Sequence, residues 1–162
     1  MTTETTPAIG QPAPSFSLAT TGGKTISLDD YKGKHAVVLY FYPEDDTSGC
    51  TKEACAFRDL GSQFAEAGAV ILGVSPDPVE SHAKFAGKYS LNFPLLADTD
   101  TSVTKAYGAW GEKISNGKPT IGLIRTTFVI DREGIVRKVY PRVKVDQHAD
   151  EVLEAVRGLG AS

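Results

Sequence analysis

Along the chain the hydrophobic positions change their period several times, and each change marks an element. His35-Ala36-Val37-Val38-Leu39-Tyr40-Phe41-Tyr42 is a nearly unbroken apolar, β-branched and aromatic run. Such a run predicts a central strand over 35–42, buried on both faces and stopped by Pro43. From about 49 to 67 the spacing becomes helical. Ala54, Phe57, Leu60, Gly61 and Phe64 recur at i, i+3, i+4, with Thr47 or Ser48 as caps and Gly68 as the stop, so one helix is expected there. A second buried strand is predicted over 70–74, a helix over 79–89 behind Pro76 and Pro78, a short strand over 95–97 and a helix over 102–107. Residues 113–119 read as a polar loop, 126–130 as a strand, 131–134 as a turn, 135–140 as its partner strand and 149–159 as a terminal helix. Near the start, 16–19 and 24–28 flank Thr21-Gly22-Gly23, whose glycines can supply the positive φ of a hairpin turn. The first dozen residues, rich in Thr and Pro, offer nothing to bury, and an extended or flexible arm is expected over 1–14.

Alternating strands and helices followed by a hairpin and a last helix predict an α/β sandwich, a central mixed β-sheet flanked by helices with an N-terminal β-hairpin. At 162 residues and 41% hydrophobic, the chain is expected to form a single domain over 1–162. The net charge is −3, and neither sign gathers into a run, which argues against nucleic acid as a partner. The first residues lack the basic and apolar stretches of a secretory signal, and no segment approaches the roughly 20 apolar residues of a membrane helix. A soluble, cytoplasmic protein without a membrane partner is therefore expected.

The composition leaves one question open, because the chain has only two cysteines, Cys50 and Cys55. A reduced cytosol gives a protein of this size no need of a structural bridge. Cys50 falls just after a strand, in the first turn of a helix, where free N–H groups and the positive dipole end favour an anion. An ordinary thiol is a few per cent ionised at pH 7, so complete ionisation gains only a few tens-fold in reactive species. Fast attack by the sulfur requires, in addition, donors aimed at the atom that leaves with growing negative charge. Thr47, three residues earlier, can place its hydroxyl beside the sulfur. Arg125, at the start of the predicted strand 126–130, carries a permanent charge with several donors. Pro43 can shield the sulfur from water. Each has a plainer reading too: Thr47 as a helix cap, Arg125 as half of a surface ion pair, Cys55 as a small core residue.

In one regular helix, Cys50 and Cys55 have Cα atoms about 8 to 9 Å apart, turned roughly 140° around the axis. A disulfide does not span that gap, so pairing them requires the start of the helix to unwind. The C-x4-C spacing is not that of a C-x-x-C oxidoreductase, and two cysteines are too few for an iron–sulfur cluster. His35, His82 and His148 lie far apart without zinc-site spacing, and Gly108-Ala109-Trp110-Gly111 lacks the spacing of a phosphate loop. No metal or other cofactor is expected.

The segment from Phe41 through Pro43-Glu44-Asp45-Asp46-Thr47-Ser48-Gly49-Cys50 to Cys55 resembles the active-site segment of peroxiredoxin Q, the bacterioferritin comigratory proteins, including P-x-x-x-T-x-x-C as Pro43, Thr47 and Cys50. The resemblance continues through Phe57-Arg58-Asp59, Tyr107 to Lys113 and Arg125-Thr126-Thr127-Phe128, covering almost the whole chain. It implies a thioredoxin-like fold, Cys50 as peroxidatic and Cys55 as resolving cysteine, Thr47 and Arg125 as activating residues and Pro43 as shield. Hydroperoxides are the implied substrates, thioredoxin or a glutaredoxin-like protein the implied reductant, and a monomer or weak homodimer the implied state. Glu44 stands where a lysine is frequent and Ser48 where a proline is frequent. The carboxylates of Glu44, Asp45 and Asp46 are expected to point into solvent. The competing readings are a redox sensor whose unfolding alters a binding surface, and an inert module that keeps the fold.

Overall fold

The computed structural model describes residues 7–115, 117–145 and 147–159. The strands are β1 (Ser17–Thr20), β2 (Lys24–Ser27), β3 (Ala36–Phe41), β4 (Ala69–Ser75), β5 (Leu95–Ala97), β6 (Trp110–Ser115), β7 (Lys118–Leu123), β8 (Thr126–Ile130) and β9 (Val136–Tyr140). The helices are α1 (Ser48–Asp59), α2 (Gly61–Glu66), α3 (Val79–Tyr89), α4 (Ser102–Ala106) and α5 (His148–Leu159). Seven strands form one mixed sheet in the order β2-β1-β5-β4-β3-β8-β9. β3 pairs in parallel with β4 and antiparallel with β8, so it is central. The expected hairpin at the start is present as β1 and β2.

Alternation along β3 explains its unbroken apolar run. Val38 and Tyr40 enter a core shared with α1, α2, α3 and α5, while Val37, Leu39 and Phe41 enter a second core with Leu72, Tyr107 and Phe128. Both faces of the sheet are thus covered, and the loop after β3 emerges between them at the start of α1.

Three expectations change. The single helix over 49–67 is two helices, because the chain turns at Leu60 (φ −98°, ψ 7°). Gly61 allows Asn92 to approach: a Cβ there would stand 2.7 Å from Asn92 Nδ2, which donates to Arg58 O at 3.1 Å. The polar loop over 113–119 is instead the tip of the β6–β7 hairpin, with Ile114 paired to Pro119 and Glu112 to Ile121. Its tip has no buried face, so no alternating pattern marks it, and Ile114 and Ile121 are about 70% exposed. Its signal was the dipeptide Asn116-Gly117, a frequent hairpin turn, with Gly117 at φ +77°. Finally, the arm expected over 1–14 is described from residue 7. Its later part lies along β9: Gly10 N–H donates to Val136 O, Val136 N–H to Gln11 O and Ala13 N–H to Gly134 O, at 2.8 to 2.9 Å. Backbone hydrogen bonds, which composition does not reveal, order a segment with little to bury. Residues 1–6 lie outside the described residues.

Candidate active site

Thr47 has the extended backbone of an N-cap, and its carbonyl accepts the first intrahelical bond, from Thr51 N–H at 2.8 Å. Cys50 is consequently the third residue of α1, among the N–H groups without an intrahelical acceptor. Its sulfur is buried at 1% exposure. Arg125 Nη2 donates to Cys50 Sγ at 3.2 Å, and Nη1 donates to Glu53 Oε1 at 2.6 Å. The guanidinium therefore spans one turn of the α1 face, bringing a cation to the sulfur from a residue 75 positions away in the chain. Its main chain is fixed from the other side, where Val143 N–H donates to Arg125 O at 2.9 Å. The surface ion pair considered for Arg125 is instead an ion pair with a carboxylate that is 1% exposed.

Glu53 was not anticipated. It lies three residues after Cys50, on the face that carries Ala54 and Phe57 inward, and a carboxylate within such a stripe was the available signal. Burial raises its pKa to about 7 despite the opposing pull of Arg125. Among the described residues, Glu53 Oε2 and Tyr40 Oη are the buried side-chain oxygens without a hydrogen-bond partner. On the same face of the sheet, His148 is buried beside Phe57, with Nε2 2.9 Å from Thr127 Oγ1. Burial, assisted by the Arg125 charge, lowers its pKa to about 4, so it is neutral at pH 7.

Thr47 departs from expectation. Its hydroxyl donates to Glu44 O at 3.1 Å and makes no cap to the helix, while the hydrogen bond to Cys50 Sγ comes from Arg125. With its proton so committed, Thr47 Oγ1 is left with lone pairs that can accept a hydrogen bond. Pro43 and Arg125 line one end of a cleft of about 320 Å³ shared with Leu123, Ile124 and Val143. Both cysteines are free thiols; Cys50 is one of the buried core residues, whereas Cys55 is half-buried and is not. Both cysteines lie within the regular span of α1, so their separation is that of a helix, too wide for a disulfide.

Of the three acids ahead of Thr47, one differs from expectation. Glu44 is exposed and Asp46 faces outward to Lys88, but Asp45 is buried and turned toward His82. The loop closes on α3, and that partner lies 37 residues downstream, beyond the reach of local pattern.

The AhpC/TSA family model matches residues 9–139. Peroxiredoxin Bcp of Bacillus subtilis is 48% identical over 151 residues, 93% of this chain and 96% of that protein. Among solved structures, a PrxQ cysteine variant from Xylella fastidiosa superposes with a TM-score of 0.89 at 34% identity, covering 96% of this chain and 99% of that one. The bacterioferritin comigratory protein of Xanthomonas campestris, solved as trapped intermediate and ligand complexes bearing on its alkyl peroxide reduction activity, superposes with a TM-score of 0.83 at 41% identity, covering 89% and 91%.

Proposed function

The chain belongs to the AhpC/TSA family as a peroxiredoxin of thioredoxin-like fold, a thiol peroxidase, and on that premise we propose that Cys50 is its peroxidatic cysteine and Cys55 its resolving one. The observation that carries this reading is the Arg125 Nη2 contact to a first-turn cysteine sulfur at 3.2 Å. Peroxide enters along the cleft that Pro43 and Arg125 line, and Pro43 limits the access of water.

The Cys50 thiolate attacks one peroxide oxygen. The S–O bond forms as the O–O bond breaks, sulfur gives up two electrons, and the leaving oxygen departs as water or an alcohol with the peroxide's own proton. Arg125 steadies the charge that grows on that oxygen, and Thr47 Oγ1 accepts a hydrogen bond from the hydroperoxide O–H and so aligns the O–O bond. Glu53 holds the guanidinium in place. After the start of α1 unwinds, Cys55 gives up its thiol proton and attacks the sulfenic sulfur, the S–S bond forms as the S–O bond breaks, and the departing hydroxide takes up a proton in place of the one Cys55 released and leaves as water. A thioredoxin-type dithiol returns both cysteines to thiols. Hydrogen peroxide and organic hydroperoxides are both substrates in this scheme, and the protein acts as one domain, a monomer or weak homodimer. No described helix is long and apolar enough to cross a membrane, and we place the protein in the cytoplasm.

One equivalent of hydrogen peroxide added to reduced protein at low micromolar concentration tests the scheme. Intact mass after alkylation should show both thiols lost within a monomeric chain. Two thiols still open to alkylation would overturn it. Sustained turnover with thioredoxin would separate a peroxidase from a sensor that reacts once.

A further inference from the structure

The turn between β3 and α1 carries three acids, and one of them is enclosed. Tyr42 Oη donates to Asp45 Oδ1 at 2.6 Å, Ser81 Oγ donates to Asp45 Oδ2 at 2.7 Å, and His82 Nδ1 lies 2.8 Å from Oδ2. The Asp45 N–H donates to Asp77 Oδ2 at 2.7 Å, an oxygen that also accepts from Ser75 Oγ at 2.8 Å. On the far edge of the imidazole, His82 Nε2 is 3.0 Å from Leu96 O. A carbonyl can only accept, so Nε2 carries hydrogen. Nδ1 faces the carboxylate, with Tyr42 Oη a further 3.4 Å neighbour. His82 is completely buried, so this contact has no water to replace it.

The anchoring extends to either side of the cysteines. Asp46, at φ +61°, takes Lys88 Nζ and Tyr89 Oη, each at 2.9 Å. Beyond Cys55, Arg58 Nη1 donates to Tyr89 O at 2.7 Å, and Arg58 O accepts from Asn92 Nδ2 at 3.1 Å. α3 and the residues just after it thus grip the chain at 45–46 and again at 58. The stretch that holds both cysteines lies between the two grips, and the Asp45–His82 contact is the deepest of them.

We propose that Asp45 and His82 are a positioning pair for the peroxidase reaction, fixing the turn ahead of Cys50 so that only the stretch between Thr47 and Arg58 gives way when Cys50 meets Cys55. The inference rests on the roles proposed above for the two cysteines. Neither member of the pair touches the sulfur. They act through the placement of Thr47 and of the first turn of α1. Without the pair the turn moves with the helix start, which depletes the folded arrangement that attacks peroxide and enriches the unwound one that forms the disulfide. A residue that merely supported the core would lower stability and leave the fate of the sulfenic acid unchanged.

The test compares the full-length native protein with Asp45→Asn, His82→Gln and Ser81→Ala. Loss of the Cys50 thiol is followed by rapid mixing at limiting hydrogen peroxide, and sulfinic acid is read by intact mass at a series of peroxide excesses. Asp45→Asn and His82→Gln should react with peroxide about tenfold more slowly and give about threefold less sulfinic acid at matched excess. Ser81→Ala removes one donor from Oδ2 without opening the core, and should shift both readings about twofold in the same directions. It decides the matter if the other two variants do not fold. Folded variants with native attack rate and native sulfinic yield would overturn the pair, as would a yield that rises. Disulfide formation in the native protein reports on the cysteine roles alone, while the difference between native and variant reports on the pair, so the two failures are told apart.

Discussion

Arg125 joins two side chains that one helix presents a turn apart, Cys50 and Glu53. Removing it as Arg125→Ala takes away a donor to the departing oxygen, and peroxide attack should slow by about 10²- to 10³-fold. Arg125→Lys should recover little, because a single ammonium does not reproduce the fork that reaches Sγ and Oε1 together. Rapid-mixing kinetics at a pH high enough to ionise the thiol separates this loss from a change in thiolate fraction; a native rate there would place Arg125 outside the reaction. Glu53 bears on stability. Its folded pKa of about 7 lies above the ordinary 4.5, so the folded state binds the extra proton, and this contribution is full below pH 4.5 and lost as pH rises through 7. His148 works in the opposite sense: a folded pKa of about 4 against 6.5 means stability gained as pH rises from 4 to 6.5. Each amounts to about 3 kcal/mol at most, so between pH 4.5 and 6.5 they largely cancel. Glu53→Gln should expose the His148 slope, with urea-unfolding stability rising across that interval where the native protein is nearly flat. An equally flat variant would show that Glu53 does not bind the proton. Cys50 and Arg125 were legible in the sequence because few other residue types do their chemistry. Glu53 and Asp45 were not, since carboxylates are nearly always solvated and only tertiary contacts reveal that these two are buried.

α1 holds both cysteines in a geometry that forbids their bond, so the proposed Cys50–Cys55 cycle requires the element to change shape once per turnover. Cys55→Ser should leave the first reaction with peroxide near its native rate but stop thioredoxin-supported cycling, with sulfinic acid accumulating; continued cycling would assign the resolving thiol elsewhere. The native protein should lose far-ultraviolet helical signal on oxidation, and this variant should keep it. β4 constrains the same region from beneath. Tyr40 pairs with Gly73, where a Cβ would come within 2.9 Å of Tyr40 Cζ and Leu95 Cδ2. Gly73→Ala should therefore cost roughly 1–3 kcal/mol in urea unfolding, because the neighbours are packed rings and branches rather than free chain ends. A loss below 0.5 kcal/mol, on the scale of an ordinary surface change, would contradict that packing. Elements with buried faces were legible: β3 from its unbroken apolar run and α3 from its apolar positions behind Pro76 and Pro78. The α1–α2 break depends on Asn92 and the β6–β7 hairpin on its turn, and neither leaves a trace in hydrophobic spacing.

Across the whole molecule, the site is assembled from segments that lie far apart in sequence. β3 and α1 supply the sulfur, α3 holds the turn, and β8, with the residues just ahead of it, brings the guanidinium. The mixed sheet was legible as a class, but its strand order was not, because nothing local records that β8 lies beside β3. Pairings of such long separation are costly to close early in folding. In a refolding time course, helical signal should return before β8 is in place, and rapid peroxide reactivity should appear with the last phase. Synthesis imposes the same order more strictly. A growing chain exposes Cys50 long before Arg125 has been made, so on the role proposed for the guanidinium the thiol is born latent and acquires its reactivity only when the fold that brings Arg125 to it is complete.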